Sequence, residues 1–196
     1  MLYQFAHILQ SKIPWIWSVV EWGNGILFKI CYGKKLKREE SILEGFPNVK
    51  RVQDGDLDAL VSFFASQPAE AYRYFRPHAF DQKTLRRLSH NPSFLMYVYK
   101  INEVITGYFF LRSFFIGKTY LGKMVDHQQQ GRGIGQTLCL CAMDLASLLG
   151  LKMFETISKE NLASLYSSQK VLEVKVLEEM ENGYLLLEDV RKKSNT

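Results

Sequence analysis

Cysteine is scarce in this sequence, and the spacing of the few that occur argues against a disulfide framework and against a cysteine-ligated metal site. Among 196 residues there are three cysteines, Cys31, Cys139 and Cys141, and no C-x-x-C pair. An odd number without paired spacing does not build a disulfide framework, so we expect a reducing, cytoplasmic compartment. Cys139 and Cys141 are two positions apart in a helical pattern, so their side chains point in different directions. Since the four histidines are also scattered, we expect no metal site.

A long uncharged apolar run is also absent. Glu21 and Lys29 interrupt the aromatic-rich segment over residues 13–32, and no stretch of about 18 apolar residues remains, so we expect no transmembrane helix. The first residues also lack the charged region, apolar core and small-residue cleavage site that are typical of a signal peptide. We therefore expect a chain that is neither membrane-spanning nor secreted.

The first 45 residues are nevertheless apolar at a helical spacing. The recurring apolar positions are Leu2, Phe5, Leu9, Ile13, Ile16, Val20, Leu27 and Ile30. Ser11 and Pro14 predict a new helix start, since proline suits the first turn of a helix. We therefore assign residues 1–45 to an N-terminal helical extension and residues 46–196 to the main domain.

Two uses of this extension fit the sequence. The helix packs on the domain or on a second copy of the chain, which would give a homodimer. Alternatively, residues 1–40 make a peripheral contact with a membrane. In that case Trp15, Trp17 and Trp22 lie at the lipid headgroups, and the basic run that follows meets anionic lipid.

The balance of charge leaves several anionic partners open. The formal net charge is +5, which suits an anionic ligand, a nucleic acid or an acidic membrane surface. The basic residues cluster partly in residues 33–40 and 191–196, which we interpret as a solvated connector and tail. We therefore expect no nucleic-acid partner.

After residue 45, strand-like and helical patterns alternate. Strands are predicted over residues 49–53, 93–100, 104–114, 118–126 and 152–158, with a closing strand pair over 175–190. Helices are predicted over residues 57–66, 81–90, 135–150 and 160–173. The expected cap and turn residues are Asp54 or Asp56, Asp81, Gly150, Asn182 and Gly183. The order β-α-α-β-β-β-α-β-α-β-β predicts an α/β domain with a mixed sheet flanked by helices.

Glycines cluster between the strand over residues 118–126 and the next helix. Gly131, Gly133 and Gly135 stand at alternate positions there, where backbone N–H groups at the positive end of a helix dipole suit a phosphate. The P-loop pattern G-x-x-x-x-G-K-[ST] fails, because no lysine follows a glycine at that spacing. The dinucleotide pattern G-x-G-x-x-G, with Glu155 as its acidic partner, fails at its last glycine. Moreover, the 61 residues after Gly135 are too few for a doubly wound sheet.

A third pattern, [Q/R]-x-x-G-x-[G/A], is met in full by residues 130–135. A second motif, N-x-x-[A/S], follows the next strand at Asn161 and Ser164, 26 residues after Gly135. On these two motifs, residues 48–190 resemble a GNAT-superfamily acetyltransferase. The resemblance implies the acyl-CoA acyltransferase fold of that family and leaves the first 45 residues unexplained.

This resemblance implies a site for acetyl-CoA. Its pyrophosphate would bind the loop amides of Gln130, Gly131, Arg132, Gly133, Ile134 and Gly135. Its pantetheine arm would pair like an added strand with the backbone of Lys123, Met124 and Val125, where a main-chain N–H can stabilise the oxyanion. Asn161 and Ser164 would hold the pantetheine, or would serve only as local helix caps.

The catalytic acid and base remain open. Family members often place a tyrosine seven residues after the asparagine, where it protonates the departing thiolate, but that position is Ser168 here. Tyr166, the candidate acid, lies two residues earlier and on another side of a helix. Family members also often place a carboxylate base on the strand before the asparagine, but the matching position here is Thr156. Glu155 beside it faces the opposite side of the strand.

An aromatic and basic loop over residues 72–80 falls where the family binds its acceptor. We expect Tyr74, Arg76 and His78 to contact the acceptor, unless this loop is simply a solvated turn. His78 is suited to accept the amine proton near neutral pH. Arg76 is suited to clamp an anionic group on the acceptor.

The sequence therefore predicts an N-acetyltransferase that uses acetyl-CoA and no metal. The acceptor would be a primary amine, or a hydroxyl, of a small molecule such as a nucleotide-linked amino sugar, attacking directly in a ternary complex. One alternative is a protein N-terminal acetyltransferase, favoured by the NLAS form of the second motif. The other is a catalytically weak CoA-binding protein tethered by its N-terminal helix.

Overall fold

The computed structural model describes the backbone of residues 14–192 and the side chains of residues 19–192. The predicted apolar positions Leu2, Phe5, Leu9 and Ile13 therefore lie outside the described residues, as do the side chains of Trp15, Ile16 and Trp17. None of the helices within the described part of the chain is long and apolar enough to cross a membrane.

A mixed sheet of seven strands forms the centre of the fold. The strands, in chain order, are β1 Val49–Arg51, β2 Phe94–Ile101, β3 Val104–Phe114, β4 Lys118–Val125, β5 Lys152–Ser158, β6 Leu172–Glu179 and β7 Tyr184–Arg191. Their order across the sheet is β1-β2-β3-β4-β5-β7-β6. The β4–β5 pair is parallel and the other neighbours are antiparallel. The predicted mixed sheet is therefore confirmed.

Helices cover both faces of the sheet. They are α1 Pro14–Leu36, α2 Glu40–Leu43, α3 Leu57–Ala65, α4 Gln82–Ser89, α5 Ile134–Leu149 and α6 Leu162–Val171. Strand alternation divides the core between the faces. Tyr97 and Phe109 pack with α1 and α5 on one face, while Met96 and Tyr108 pack with α3 and α4 on the other.

The closing elements show one boundary error in the sequence prediction. The helix predicted over residues 160–173 ends at Val171, and Leu172 already pairs with Arg191 of β7. Leu172 is almost fully buried in the core on the α5 face, so strand pairing and burial outweigh its helical propensity. The predicted turn is present, with Gly183 at a positive φ of 77°.

Two of the three predicted helix caps are confirmed. The Asp81 carboxylate accepts the Thr84 amide at 2.9 Å at the start of α4, and Gly150 ends α5 at a φ of 77°. At α3, Asp56 occupies the predicted N-cap position, but its side chain makes no cap bond to the helix, and Asp54 begins the 3-10 turn that precedes α3. The Asp56 carboxylate instead accepts the Gln53 amide at 2.9 Å, because the turn directs it backwards.

Helix α1 is described from Pro14 to Leu36 and packs on the main domain, while the predicted helix start at Ser11 lies outside the described residues. Phe28 is fully buried in the core on the α5 face. Asn24 donates to the Ser93 hydroxyl at 3.0 Å and accepts the Phe115 amide at 3.1 Å. Lys35 donates to the Leu149 carbonyl at the end of α5 at 3.0 Å. These contacts attach one face of α1 to the sheet and leave the opposite face open.

Strands β4 and β5 pair over only part of their length. Their register covers three pairs and ends at Tyr120 with Phe154. Beyond that point residues 121–125 of β4 pair only with β3, and residues 155–158 of β5 pair only with β7. We call the gap between these two unpaired edges the β4–β5 opening. It leads to the glycine-containing loop that follows β4.

Candidate active site

The loop after β4 takes a conformation that requires glycine at two positions. Asp126 caps a short turn by accepting the Gln128 amide at 2.8 Å. Gly131 and Gly133 then take φ values of 78° and 82°, in the left-handed region that other L-residues rarely adopt. A Cβ on either glycine would have no neighbour within 4 Å. The backbone angle, rather than crowding by protein, therefore demands these glycines, and the space above them is open.

Several backbone N–H groups of this loop have no protein partner among the described residues. Gly133 is the N-cap of α5, and its carbonyl accepts the amides of Gln136 and Thr137. Within the described residues, the amides of Gly133, Ile134 and Gly135 donate to no protein acceptor. Unpaired N–H groups at a helix N-terminus attract an anion, so the loop is suited to bind a phosphate.

Gly135 differs from the two glycines before it, because neither its backbone nor its surroundings require glycine. A Cβ there would lie 3.5 Å from the Ser167 Cβ of α6 and 3.7 Å from the Val125 side chain. These are ordinary van der Waals distances, so α5 could pack on α6 and β4 with alanine at this position. The neighbouring Ile134 side chain is buried in the core and fixes the helix start, which holds the loop amides in place.

A buried glutamine that the sequence analysis missed attaches the loop to the other face of the sheet. Gln67, just after α3, accepts the His127 amide at 3.1 Å and donates to the Phe63 carbonyl at 3.0 Å. A polar residue just after a predicted helix gives no signal for such a contact. It connects the loop to the segment that carries the predicted acceptor residues.

The predicted β4 residues line the β4–β5 opening. Met124 turns its side chain into the core on the α3 and α4 face, while Lys123 and Val125 face the α5 side. On the β3 edge, these residues pair with Phe109, Tyr108 and Gly107. Their other edge is unpaired, as a backbone-pairing site requires.

A buried ion pair spans the β4–β5 opening on the α5 side. The Lys123 ammonium lies 2.6 Å from a Glu155 carboxylate oxygen and donates to the Ser168 hydroxyl at 2.9 Å. Ser168 in turn donates to the second Glu155 oxygen at 2.7 Å. Burial acts to lower the pKa of Lys123, but Cys139 and Glu155 raise it above its usual value. The triad connects β4, β5 and α6 where backbone pairing has ended.

Asp189 on β7 is a second buried carboxyl group beside this triad. Both of its oxygens lack a hydrogen-bond partner among the described residues. Burial and the Glu155 carboxylate raise the pKa of Asp189 to about 8, against the opposing effect of Lys123. Asp189 is therefore protonated at neutral pH, and the Lys123–Glu155 pair is electrically balanced. The sequence analysis missed Asp189, because nothing local distinguishes it from a solvent-facing strand residue.

The predicted residues of α6 lie at its first turns and face different directions. Asn161 is the N-cap and accepts the Ser164 amide at 3.2 Å, so the capping interpretation holds. Its side-chain NH₂ has no acceptor within the described residues and is free to meet a ligand. Tyr166 is 62% exposed and lies against Lys170, whereas Ser168 is fully buried.

His78 lies over the β2–β3 part of the sheet in an aromatic setting. The rings around it are Phe64, Phe80, Phe94, Tyr108 and Phe110. Its Nδ1 is 2.9 Å from the Ala79 carbonyl and therefore carries the hydrogen, while Nε2 accepts the Tyr108 hydroxyl at 3.1 Å. Burial lowers the pKa of His78. The imidazole is neutral at pH 7, and a hydrogen bond already occupies its basic nitrogen.

The predicted acceptor loop reaches the β5–α6 turn next to Asn161. Arg73 lies 2.6 Å from the Glu160 carboxylate, and the Tyr74 hydroxyl donates to the same oxygen at 3.1 Å. The sequence analysis missed the Arg73–Glu160 contact, because only the sheet topology brings these two loops together. Arg76 is exposed and makes no ion pair or hydrogen bond with the described residues.

Solved structures that superpose on this chain include several acetyltransferases. The GNAT domain of S. lividans PAT superposes with a TM-score of 0.63 at 18% identity over 72% of this chain and 89% of its own. A putative acetyltransferase, yncA from Salmonella typhimurium with its cofactor acetyl-CoA, gives 0.59 at 19% identity over 76% and 95%. The aminoglycoside acetyltransferase AAC(6')-Ib, in complex with paromomycin and acetyl-CoA, gives 0.59 at 15% identity over 76% and 97%.

These likenesses establish the fold. No protein-family model matches the sequence, and no functionally curated protein matches it. At identities of 15–19%, the superpositions show that the chain has the GNAT fold, which confirms the fold predicted from the two motifs. Among residues 14–192, no cluster of three or more potential metal ligands occurs.

Proposed function

We propose that this protein transfers an acetyl group from acetyl-CoA to a primary amine of a small molecule. The observation that carries the proposal is the β4–β5 opening, which leads to a loop with unpaired amides at a helix N-terminus. In this chain, which has the GNAT fold, the opening and the loop lie side by side. Each one matches a different chemical part of the cofactor.

The residues present fit acetyl-CoA along its length. The amides of residues 130–135, with exposed Arg132 nearby, are suited to the doubly charged pyrophosphate. The unpaired edge at Lys123, Met124 and Val125 is suited to the amide groups of the pantetheine arm. The free NH₂ of Asn161 is suited to a carbonyl of the same arm, and Ser164 holds Asn161 in place. When bound, acetyl-CoA supplies an acyl group activated as a thioester.

The protein's own residues prepare the opening for this chemistry. A backbone N–H on the free edge of β4 is positioned to donate to an oxygen that gains negative charge, as in an oxyanion hole. The Lys123–Glu155–Ser168 triad fixes the distance between the edges of β4 and β5. Lys123 thus contributes twice, through its backbone to the ligand and through its side chain to the shape of the opening.

Proton transfer is assigned to His78 and Tyr166. His78 is neutral at pH 7, as a general base must be, but it must release the Tyr108 hydroxyl before it accepts a proton. Tyr166 is exposed and must turn toward the opening to protonate a thiolate. A thiolate leaves readily without a strong acid, so a weak contribution from Tyr166 does not prevent transfer.

We further propose that the acceptor is an amine that carries an anionic group, such as a nucleotide-linked amino sugar. Arg76 is exposed and unpaired among the described residues, and its guanidinium suits a phosphate or carboxylate. Tyr74 and the aromatic surroundings of His78 suit a flat or sugar-like group. Structures of AAC(6')-Ib with paromomycin and with kanamycin support the general class of small-molecule amines.

One observation favours a second function, a CoA-binding protein with weak catalysis. Ser168 is held by Lys123 and Glu155 inside the protein, and the nearby Tyr166 faces solvent. The exposed Tyr166 therefore makes no hydrogen bond with the triad. Such a protein would bind acetyl-CoA through the same loop and opening but release little thiol.

A thiol-release assay distinguishes the two. Protein is mixed with acetyl-CoA and a panel of amines, amino sugars, phosphorylated amino sugars, alcohols and peptide N-termini. We expect release that depends on the acceptor, is strongest with anionic amines, and weakens in Arg76→Gln mainly through a higher KM. Acetyl-CoA binding without release for any acceptor would favour the weak-catalysis function, and release with peptides alone would favour the N-terminal acetyltransferase.

A further inference from the structure

The face of α1 that points away from the sheet is apolar and uncovered. Successive helical residues turn by roughly 100°, so Val19, Trp22, Ile26 and Ile30 share one side of the helix, roughly opposite buried Phe28. All four are exposed, with Trp22 at 70% and Ile30 at 72%. Such a row of large, solvent-exposed apolar side chains is typical of a surface that contacts a membrane or another protein.

The turn between β3 and β4 extends this surface. The Tyr32 hydroxyl donates to the Phe115 carbonyl at 3.1 Å, which places the turn against α1. Phe115 and Ile116 are exposed there, as are Val20 and Leu27 on the adjacent side of α1. A cleft of roughly 300 Å³ between α1 and β3 separates the two parts. We call α1 together with this turn the α1 surface.

The charged side chains on the outward side of α1 are basic. Lys29 and Lys34 stand on either side of the apolar row, and more basic residues follow at the end of the helix. The single carboxylate of α1, Glu21, turns inward, 3.0 Å from Arg112 and 3.7 Å from Arg87. No acidic side chain therefore lies on the outward side of α1.

This segment carries the whole net charge of the protein. Residues 1–38 contain one acidic residue, Glu21, and the basic residues Lys12, Lys29, Lys34, Lys35, Lys37 and Arg38. The formal net charge of the complete chain is +5, so the remaining residues are balanced. The positive charge is concentrated beside an exposed apolar face, which is the composition of a helix that lies in an anionic lipid interface.

We propose that the α1 surface docks on a membrane that contains anionic lipid. The apolar row enters the boundary between headgroups and acyl chains, Trp22 sits at headgroup depth, and the basic residues contact lipid phosphates. Docking of a second copy at this surface is disfavoured, because Lys29 and Lys34 would face the same charges of the partner. The proposal does not depend on the acetyltransferase function.

Docking in this way leaves the candidate active site open to water. The β3–β4 turn precedes Lys118, at the end of β4 where β4 and β5 still pair, whereas the β4–β5 opening is at the Val125 end. Eight residues of strand separate these ends, a distance of roughly 25 Å. The acceptor would therefore be soluble or borne on a group that extends well away from the bilayer.

Vesicle binding tests the proposal with an internal reporter. All three tryptophans, at positions 15, 17 and 22, lie in this segment, so tryptophan fluorescence reports on it alone. The complete chain is sedimented with vesicles of phosphatidylcholine, with and without phosphatidylglycerol. We expect binding and a blue shift only with phosphatidylglycerol, and both should weaken as salt is raised.

Two matched double variants distinguish binding through the α1 surface from non-specific adsorption of the protein to vesicles. Ile26→Gln with Ile30→Gln should reduce vesicle partitioning by about tenfold or more, since two apolar side chains no longer enter the lipid. Val176→Gln with Leu177→Gln changes two exposed residues of β6 and should change partitioning by less than about twofold. The proposal is overturned if the chain ignores phosphatidylglycerol vesicles, or if the α1 variant binds them as well as wild type. It is equally overturned if sedimentation equilibrium shows a dimer that the α1 variant dissociates while vesicles go unbound.

Discussion

At the residue scale, Asp189 is a buried carboxyl group whose ionisation should affect stability. Its carboxyl group has no hydrogen-bond partner among the described residues and lies beside a paired carboxylate. A negative charge there would be uncompensated, because Glu155 already neutralises Lys123. The protein therefore keeps a proton on Asp189 at neutral pH, and the removal of that proton weakens the fold.

We expect Asp189→Asn to flatten the dependence of stability on pH. The folded protein holds the Asp189 proton up to about pH 8, whereas the usual value is 3.8. Between these values the folded state binds more protons than the unfolded state, so the free energy of unfolding falls as pH rises, by at most about 1.4 kcal/mol per unit. Urea unfolding from pH 5 to 8 should show a shallower decline in the variant. Glu188→Gln, one residue away with its side chain 21% exposed, should keep the wild-type slope; an unchanged slope in Asp189→Asn would mean that Asp189 ionises normally.

Glu155 and Asp189 should compensate for each other. In Glu155→Gln, the Lys123 charge loses its partner, which for a buried pair costs about 3–5 kcal/mol. When Asp189 is intact, the loss of stability in Glu155→Gln should be smaller than this, because Asp189 can then ionise and balance the charge of Lys123. The same substitution in an Asp189→Asn background lacks this rescue. A double-mutant cycle in urea should therefore give a coupling well above 0.5 kcal/mol, whereas additive effects would show that Asp189 does not sense Lys123.

At the element scale, the loop between β4 and α5 concentrates the backbone groups of the candidate site. Its left-handed glycines, the N-terminus of α5 and the unpaired edge of β4 are all parts of one connection. Helix α5 is fixed by its buried residues and ends at Gly150. A rigid helix with a fixed start keeps the amides in place before any ligand arrives.

Gly133→Val should abolish the thermal stabilisation by acetyl-CoA. The side chain would occupy the open space above the loop and would strain a φ of 82°. Gly183→Val is the matched control, since Gly183 has a φ of 77° and equally open surroundings in the β6–β7 turn. Both variants should lose similar stability without ligand, about 1–2 kcal/mol. Only Gly133→Val should lose the rise in Tm with acetyl-CoA, which follows ln(1 + [L]/Kd) in wild type. If both variants keep that rise, the loop does not bind the cofactor.

Local chemistry explains which elements the sequence could predict. Asp81 and Gly150 act within one helix turn, and Gly183 within one hairpin, so their roles follow from neighbouring residues. The triad of Lys123, Glu155 and Ser168 joins positions far apart in sequence, and only the sheet order brings them together. Glu155 was correctly placed on the face opposite Thr156, but its partner on β4 could not be deduced. Asp56 stands at the N-cap of α3 as predicted, but a 3-10 turn that the pattern did not predict directs its carboxylate to the Gln53 amide.

At the scale of the whole molecule, α1 is both a part of the core and the edge of a second surface. Phe28 shares the core with residues of β2, β3 and α5, so the helix is attached to the sheet. Its outward face carries the basic and apolar residues of the proposed membrane contact. The domain boundary at residue 45 stays a prediction, but α1 and the main domain share a hydrophobic core.

Two alanine substitutions in α1 should separate these roles. Phe28→Ala removes a fully buried ring and should lower the free energy of unfolding by about 3–5 kcal/mol. Ile30→Ala, two residues along the same helix and 72% exposed, should change it by less than about 0.5 kcal/mol. Chemical unfolding of both variants gives the comparison. Equal losses would mean that α1 does not pack on the sheet through Phe28.

The central claim is that the loop after β4 and the β4–β5 opening bind acetyl-CoA. The most direct test is a titration of protein labelled with ¹⁵N at its 13 glycines, followed by the amide resonances. We predict that acetyl-CoA shifts the amides of Gly131, Gly133 and Gly135 at low concentration and leaves that of Gly183 unmoved. The account is contradicted if these three resonances stay in place at saturating acetyl-CoA, or if they respond to NAD or ATP and not to CoA.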